Sequence, residues 1–463
     1  MTKLNVFDIQ GFVARGYNLP KANYLLAEIV DPEHGRHFVR RIAQQVTTAE
    51  RWEQGKKPPS TLNIAFTWQG FLQLGLPDAT LISFPVEFCQ GMRQRSHILG
   101  DVGKNDPKHW DPVWQEDKVH VWLAVNALNP DELAKRTAEV CRLMEETGGA
   151  RLLATQPASS VYIDGQPTPK EHFGFTDGFG NPDFEGVERS TIPGQGKLTP
   201  DGKWAPLATG EFILGYPDES QELPACPVPY LLGINGTYMA FRKLHQNVAS
   251  FRKYLEEKGR QYAGGKEKLA AKFAGRWRDG TPVELSPDQP DPALVKDKQR
   301  NTNFTYGNDM AGVRCPLGGH IRRMNPRDAF GFNGALVNRR RIMRRGLPYG
   351  EYTPEDQPAR DEDDHGIVFM ALGASLCRQF EFVQQQWTEY GNDAHLGNDK
   401  DPLVGRHDPG MDKHIVQGTA DPRNAPFICG SLPQFVEMRG GAYFFLPSLT
   451  ALRLIGDGSV DPR

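Results

Sequence analysis

With 463 residues, 38% of them hydrophobic, the chain has length for two to three domains and enough apolar residues to bury a large core. A formal net charge of −3 argues against a nucleic-acid or membrane-surface binder. No run of about 18 apolar residues marks a membrane span, and the start MTKLNVFDIQG shows neither an apolar signal core nor a twin-arginine pair, which points to the cytoplasm.

In chain order, YLLAEIV at 24–30 reads as a strand, 35–46 as a helix and TLNIAFT at 61–67 as a second strand. In VHVWLAVNA, 119–127, Val119, Val121, Leu123 and Val125 alternate with the other face, the period of a strand. A helix follows at once. Asn129 can cap it, Pro130 suits its first turn, and Leu133, Thr137, Cys141 and Met144 form an inward stripe up to about Thr147. The second half repeats this order: strand GTYMAFRK from 236, helix 247–257 with Val248, Phe251 and Leu255 inward, strand GIVFMAL at 366–372 and helix 375–390. Residues 186–232 and 258–300, rich in Gly, Pro and charge, read as long connections, the latter opening with a short helix. These elements predict an α+β protein of two β-α-β-β-α-β units. Each would be ferredoxin-like, an antiparallel sheet with helices on one face, and packing the two sheets together would bury both remaining faces. The division is placed at residues 1–210 and 211–463.

Chemistry concentrates in two segments. CPLGGHIRRMNPR, 315–327, sets His320 behind Gly318 and Gly319 and among Arg314, Arg322, Arg323 and Arg327. Glycines leave room for a flat macrocycle against the backbone, and guanidinium groups fit carboxylates, so the segment suits an imidazole bound to haem iron with arginines at the propionates. Alternatively, His320 is an ordinary loop histidine beside a solvated basic stretch. EHFGFTDGFGNPDFEG, 171–186, holds Asp177 between Gly174, Gly178 and Gly180 and closes on Asn181-Pro182, a composition that a simple turn also explains. The six cysteines form no CxxC pair and read mostly as small buried hydrophobes. Cys315, at what reads as the end of a strand, is a lesser candidate for an iron ligand. His365, His395, His407 and His414 are the candidates for a haem-free metal site, but they lack HxxxH or HxH spacing.

Together the two segments resemble the dye-decolourising peroxidase family, whose signature is Gly-x-x-Asp-Gly in the first half and a proximal His in the second. The resemblance continues through DIQGFVARGY from residue 8, GEFILGYPDE at 210–219, GTYMAFRKL at 236–244, RRGLPYG at 344–350, RQFEFVQQQW at 378–387 and RGGAYFFLPS at 439–448, in the family's order and over nearly the whole chain. It implies two ferredoxin-like domains of the dimeric α/β-barrel type, with one haem b mainly in the C-terminal domain. It also implies a peroxidase that reduces hydrogen peroxide and oxidises bulky aromatic donors, dyes and phenols, by one-electron steps. His320 would be the iron ligand, and Asp177 the general base and then acid. The family's Arg-x-x-hydrophobic-Pro-aromatic-Gly falls on RRGLPYG and selects Arg344 to stabilise charge beside the peroxide. Gly178, Phe179, Gly180, Asn325, Arg327 and Arg344 would touch the haem.

Several finer expectations follow from the resemblance. Arg345 is the second candidate for the charge-stabilising role, because a one-residue slip in a strand reverses its face. Gly346 departs from a branch of the family that carries Asn there. Glu381 is a candidate carboxylate partner for His320, and Phe369 or Met370 could line the distal side. A deeply buried haem would need surface relays, for which Trp204, Trp277 and Tyr352 stand in loop-like sequence. With an Asp base, which titrates near ~3.9 when unperturbed, activity should persist into acid. A homo-oligomer is left open. The tail LRLIGDGSVDPR, 452–463, reads as a docking peptide or as disorder. A haem-handling protein without turnover is the second functional reading: it needs His320 and the arginines but leaves Asp177 and Arg344 without a purpose.

Overall fold

The structure is a computed structural model that describes residues 4–53, 55–187, 191–408, 410–419, 421 and 423–461. Its first unit runs β1 (Lys21–Ile29), α1 (Pro32–Ala43), β2 (Ser60–Phe66), β3 (Val121–Ala127), α2 (Pro130–Thr147) and β4 (Ala150–Ser159). Its second runs β5 (Thr237–Gln246) and α3 (Val248–Gly259), then a long connection that carries the short α4 (His320–Met324). After it come β6 (Met343–Tyr349), β7 (Gly366–Gly373), α5 and β8 (Val436–Leu446). α5 consists of two wide-turned pieces, Leu376–Glu381 and Val383–Thr388. α2 starts as its sequence predicts, whereas α1 starts at Pro32, three residues before the expected 35. Asp31 accepts a hydrogen bond from the His34 amide and Asn129 one from the Glu132 amide, each just before a proline.

Strand order is the same in both halves, β2-β3-β1-β4 and β6-β7-β5-β8, the antiparallel ferredoxin-like arrangement. One expectation changes. The two sets of four strands are joined edge to edge, with Phe445 of β8 opposite Phe66 of β2, into a single eight-stranded sheet rather than two separate sheets. A side chain holds this seam as much as a ladder does: Gln10 Oε1 accepts from the Ile64 amide at 3.0 Å, while its Nε2 donates to Ile64 O at 2.8 Å and Pro447 O at 2.9 Å.

The sheet then curls over on itself. Tyr24 of β1 and Phe241 of β5 are far apart in the strand order, yet their ring centroids lie 6.1 Å apart; Trp122 of β3 meets Phe444 of β8 at 6.4 Å. The inner faces of the two units therefore bury each other, as expected, while the end strands β4 and β6 share no ladder and leave the curl unclosed. Burial on both sides also explains why β3 is buried at all seven positions, where alternation had suggested one wet face. The core that results runs across both halves, from Leu4 to Val460.

Two further expectations are corrected. In α2 the buried residues are Val140, Leu143, Met144 and Thr147, with Leu133, Thr137 and Cys141 half-buried, because only the C-terminal part of the helix sinks onto the sheet. The C-terminal stretch is neither disordered nor a free peptide up to Asp457. It forms α6 (Leu449–Asp457), whose Leu452 and Ile455 are fully buried, whose Asp457 pairs with Arg40 of α1 at 2.9 Å, and whose Thr450 amide donates to Asp8. Residues 462 and 463 lie outside the described residues.

Candidate functional site

His320 opens α4, with Gly319 in extended conformation before it. Its Nδ1 lies 2.9 Å from Oδ2 of Asp401, a carboxylate with no exposed surface. The other oxygen of Asp401 accepts the amides of Leu403 and Val404 at 2.9 and 3.0 Å. Burial alone would push this carboxyl up; His320, the Arg323 guanidinium and the backbone amide outweigh it and bring it down to about 2. Asp401 is therefore a fixed acceptor that makes Nδ1 the protonated nitrogen and leaves Nε2 as the ligating atom. The candidate Glu381 is elsewhere: it is buried and paired with Arg95 at 2.6 and 2.7 Å and with the Tyr443 hydroxyl at 2.8 Å.

Across from His320 stands the Gly-x-x-Asp-Gly segment. Asp177 Oδ1 accepts from its neighbour's amide, Gly178, at 2.6 Å and from Arg344 Nη1 at 3.1 Å. Arg344 also donates from Nη2 to Phe179 O at 2.6 Å, and its amide donates to Asn181 Oδ1 at 3.0 Å, so β6 is bonded to the motif at three points. The Asp177 side chain has 56% of its surface accessible although it lies deep among protein atoms, which places it on the wall of an internal space. Burial would raise its carboxyl; Arg344, the Gly178 amide and the charge of His320 hold it below the ordinary value. The two segments meet through Arg276, which covers the ring of Phe179 at 4.7 Å while its neighbour Gly275 packs against Ile321, the residue after His320. Gly178 and Gly180 have φ of +97° and +76°, and a Cβ on either would meet nothing within 4 Å. Their need is conformational, and no side chain fills the space beside the carboxylate.

Strand alternation decides between the two arginines. Arg345 turns to the opposite face and donates to Phe12 O and Val13 O. On β7, Ala371 pairs with Arg344 and Met370 with Arg345, so Phe369 shares the face of Arg344 while Met370 is core. At Gly346, with φ +125°, a Cβ would lie 1.9 Å from Val368 O, so this backbone has no room for the Asn of other family members.

The arginines near His320 divide differently from expectation. Arg322 is bound to Asp309 and Cys315 O, Arg323 donates to the carbonyls of Trp387, Asp399 and Tyr390, and Arg314 faces Glu284 at 3.4 Å. These three serve the local fold. Arg327, in left-handed backbone at φ +54°, is buried and donates to Thr302 O and Phe304 O. It is joined by two arginines that sequence reading missed, Arg276 over the Phe179 ring at 4.7 Å and Arg341 beside the carbonyls of Gln195 and Gly196. Among the described residues none of the three pairs with a carboxylate. Burial and then Arg327 push both Arg276 and Arg341 down to about 9. Such a concentration of buried positive charge suits an anionic group, whereas Asn325 leaves a buried Oδ1 without a hydrogen bond among the described residues, an acceptor that does not serve an anion. A free Nε2 on His320, an enclosed space, two bare glycines and this cationic wall fit a haem with its propionates.

The remaining candidates fall away. Cys315 sits in a bend rather than a strand, fully buried, and burial pushes its thiol up to about 12. Among the described residues no three His, Cys, Asp or Glu side chains are placed to hold a metal ion, so His365, His395, His407 and His414 are not gathered into such a group. Trp204 donates to Asn303, Trp277 is buried and donates to Ser286 O, and Tyr352 is half-buried. No helix of the described residues is long and apolar enough to cross a membrane.

Comparison with known proteins places this geometry. The DyP dimeric alpha+beta barrel domain matches residues 8–150. A multifunctional dye peroxidase of an Amycolatopsis species is 34% identical over 428 residues, covering 85% of this chain and 81% of its own. A dye-decolorizing peroxidase of Auricularia auricula-judae is 29% identical over 97% of this chain and 87% of its own. A crystal structure of a peroxidase of that type from the same fungus superposes with a TM-score of 0.83 at 28% identity, covering 98% of this chain and 100% of that one. A dye-decolorizing peroxidase in complex with 2,6-dimethoxyphenol superposes at 0.82 with 26% identity over 98% of this chain.

Proposed function

The chain belongs to the dye-decolorizing peroxidase family, and on that premise we propose that it reduces hydrogen peroxide with Asp177 carrying the proton and Arg344 stabilising charge, and oxidises dyes and phenols by one-electron steps. It is a haem peroxidase. Nε2 of His320 would hold haem b and Arg327, Arg276 and Arg341 would meet its propionates; the group would supply the redox chemistry when bound. Gly178, Phe179, Gly180 and Asn325 would complete its contacts.

The protein's own groups divide the remaining work. Asp401 accepts the Nδ1 hydrogen of His320, which fixes the ring and raises electron donation through Nε2. Asp177, ionised by Arg344 and the Gly178 amide, takes the proton from one oxygen of hydrogen peroxide and returns it to the other, which leaves as water. Arg344 keeps its charge beside the oxygen where negative charge gathers. The observation that carries the reading is the pairing of Asp177 with Arg344, on a segment that Arg276 and Gly275 join to the segment of His320. A haem-handling protein would have no use for that pair. Part of the same proposal are a division of the chain at residue 210 and a cytoplasmic place of work, which limited proteolysis and cell fractionation test.

The deciding experiment is Asp177→Asn in haem-loaded protein, mixed with one equivalent of hydrogen peroxide and followed at the Soret band. We expect haem to be retained and the rate of reaction with peroxide to fall roughly 10²- to 10⁴-fold. An unchanged rate removes Asp177 from the mechanism, and a wild-type Soret band that peroxide leaves unmoved turns the reading to haem handling.

A further inference from the structure

Behind the distal motif three buried histidines from three segments form a stack. The rings of His172 and His365 are 4.9 Å apart and 22° from parallel, and those of His365 and His245 are 5.7 Å apart and 20° from parallel. His172 precedes Asp177 in the motif, and its Nε2 lies 2.8 Å from the carbonyl oxygen of Tyr349, the last residue of β6, on which Arg344 stands. His245, near the end of β5, has Nε2 2.8 Å from Asp361 O. Carbonyls only accept, so each of these rings donates from Nε2. The middle ring, His365, has a buried Nε2 with no hydrogen bond.

Neither the proton transfer nor the haem contacts use this column. We propose that His172 is a positioning residue that fixes Asp177 against Arg344 through its bond to Tyr349, and that the stack is a latch released by acid, so that its protonation ends activity at low pH. The link to activity rests on the roles given above to Asp177 and Arg344; the structural half of the proposal does not.

Neutral imidazoles stack without penalty, whereas two charged rings at this separation in a buried site repel strongly. The charged and titratable surroundings come from every neighbouring element. Glu171, on the segment of His172, is buried and bonded to the amides of Phe173 and Phe175 and to Gln246, and the charge of Arg278 also reaches it. From the loop before β7 come Asp361 and Asp363, which favour a proton on His365, against burial and His245, which oppose it and prevail. From β6 comes Tyr349, covered at 4.8 Å by Lys243 of β5, itself paired with Asp111 and Asp364. After β6 comes Tyr352, its ring 6.2 Å from His172. Burial and then His365 push His172 down to about 4. A released imidazole titrates near ~6.5, so the opened state binds protons that the stack refuses. The stability of the closed latch is therefore full above ~6.5 and lost as pH falls toward 4, a range over which Asp177 stays ionised.

The test uses the holoenzyme and two readouts from pH 7 to pH 3: the rate constant for hydrogen peroxide, and backbone hydrogen exchange in 171–181 and 343–349 relative to the intrinsic exchange rate at each pH. For wild type we expect an acid limb steeper than a single proton gives, with exchange rising in step. His365→Phe keeps a ring but loses the charge, and should move that limb down by about half a pH unit or more while leaving the neutral plateau as it was. His172→Phe should lower the neutral rate about tenfold with haem content intact, and His172→Gln, whose amide can replace the lost donor, should restore most of it. An acid limb unmoved in His365→Phe, or exchange that stays flat with pH, overturns the latch; a neutral rate unaffected by His172→Phe overturns the positioning role. Should His172→Phe not fold, His172→Gln and His365→Phe still decide. Exchange is read whether or not Asp177 carries the proton, so the latch and the catalytic reading fail separately.

Discussion

Asp177 and Asp401 flank one site and both titrate below an ordinary carboxyl, yet their surroundings differ. Asp177 receives hydrogen bonds from Gly178 and Arg344 and keeps 56% of its side-chain surface accessible. Asp401 receives them from His320, Leu403 and Val404 and is sealed. A carboxylate that must accept and release a proton has to keep an unsaturated oxygen within reach of the substrate. One that orients an imidazole does best when every lone pair is occupied and no water competes. Two acids are thus tuned in the same direction for opposite ends, both against their burial: one by a guanidinium and the next amide, the other by the imidazole it orients, Arg323 and backbone amides.

Substitutions can break this contrast at either side. The largest effect is expected from Asp177→Asn, as set out above. Arg344→Ala should come next, with roughly 10²- to 10³-fold lost in the rate with peroxide. Without the guanidinium the Gly178 amide opposes the burial of Asp177 with less help and its carboxyl rises, so in a His365→Phe background, where the limb set by the histidines has moved down, the acid limb of the peroxide rate should move to higher pH; a limb that stays put there would show that Arg344 does not tune Asp177. Asp401→Asn is expected to cost about 10- to 100-fold in haem retention, measured by transfer to a competing apoprotein, with the rate of proton transfer at Asp177 much less affected.

The smallest effect concerns stability. Asp401 is held at about 2, below the free value of 3.8, so its contribution is complete above that free value and disappears as pH falls toward 2. It amounts to about 2 kcal/mol and should appear as a steeper acid loss in urea unfolding of wild type than of Asp401→Asn.

How much of this was legible in the sequence depended on how local each signal was. His320, Asp177 and Arg344 sit in short segments whose neighbours determine their backbone, and strand alternation then settled Arg344 over Arg345. Asp401 was missed because its partner lies 81 residues away and nothing in KDPLVG separates it from any other Asp in a turn. Glu381 was a poor candidate for the same reason, since a segment shared with a family does not say which way a helix side chain points. Arg276 and Arg341 carry no local signal that marks them as site residues, and only tertiary packing brings them to Arg327. The sequence reading located β1, β2, β3, β5 and β7 within a few residues but did not name β4, β6 or β8. Periodicity reports which side chains are buried, and β4 and β6, at the ends of the sheet, show a weaker pattern. It carries no information on which edges join, so the seam between β8 and β2 could not be foreseen.

That seam bears on the protein while it is still being made. β2 is synthesised long before β8, and for most of translation its outer edge would be a bare template on which a neighbouring nascent chain could dock. Gln10 emerges earlier still, and its side-chain amide already occupies both the N–H and the carbonyl of Ile64. A side chain thus stands in for the missing strand, so that mispairing between ribosome-bound copies is blocked at the middle of β2 until the rightful partner arrives.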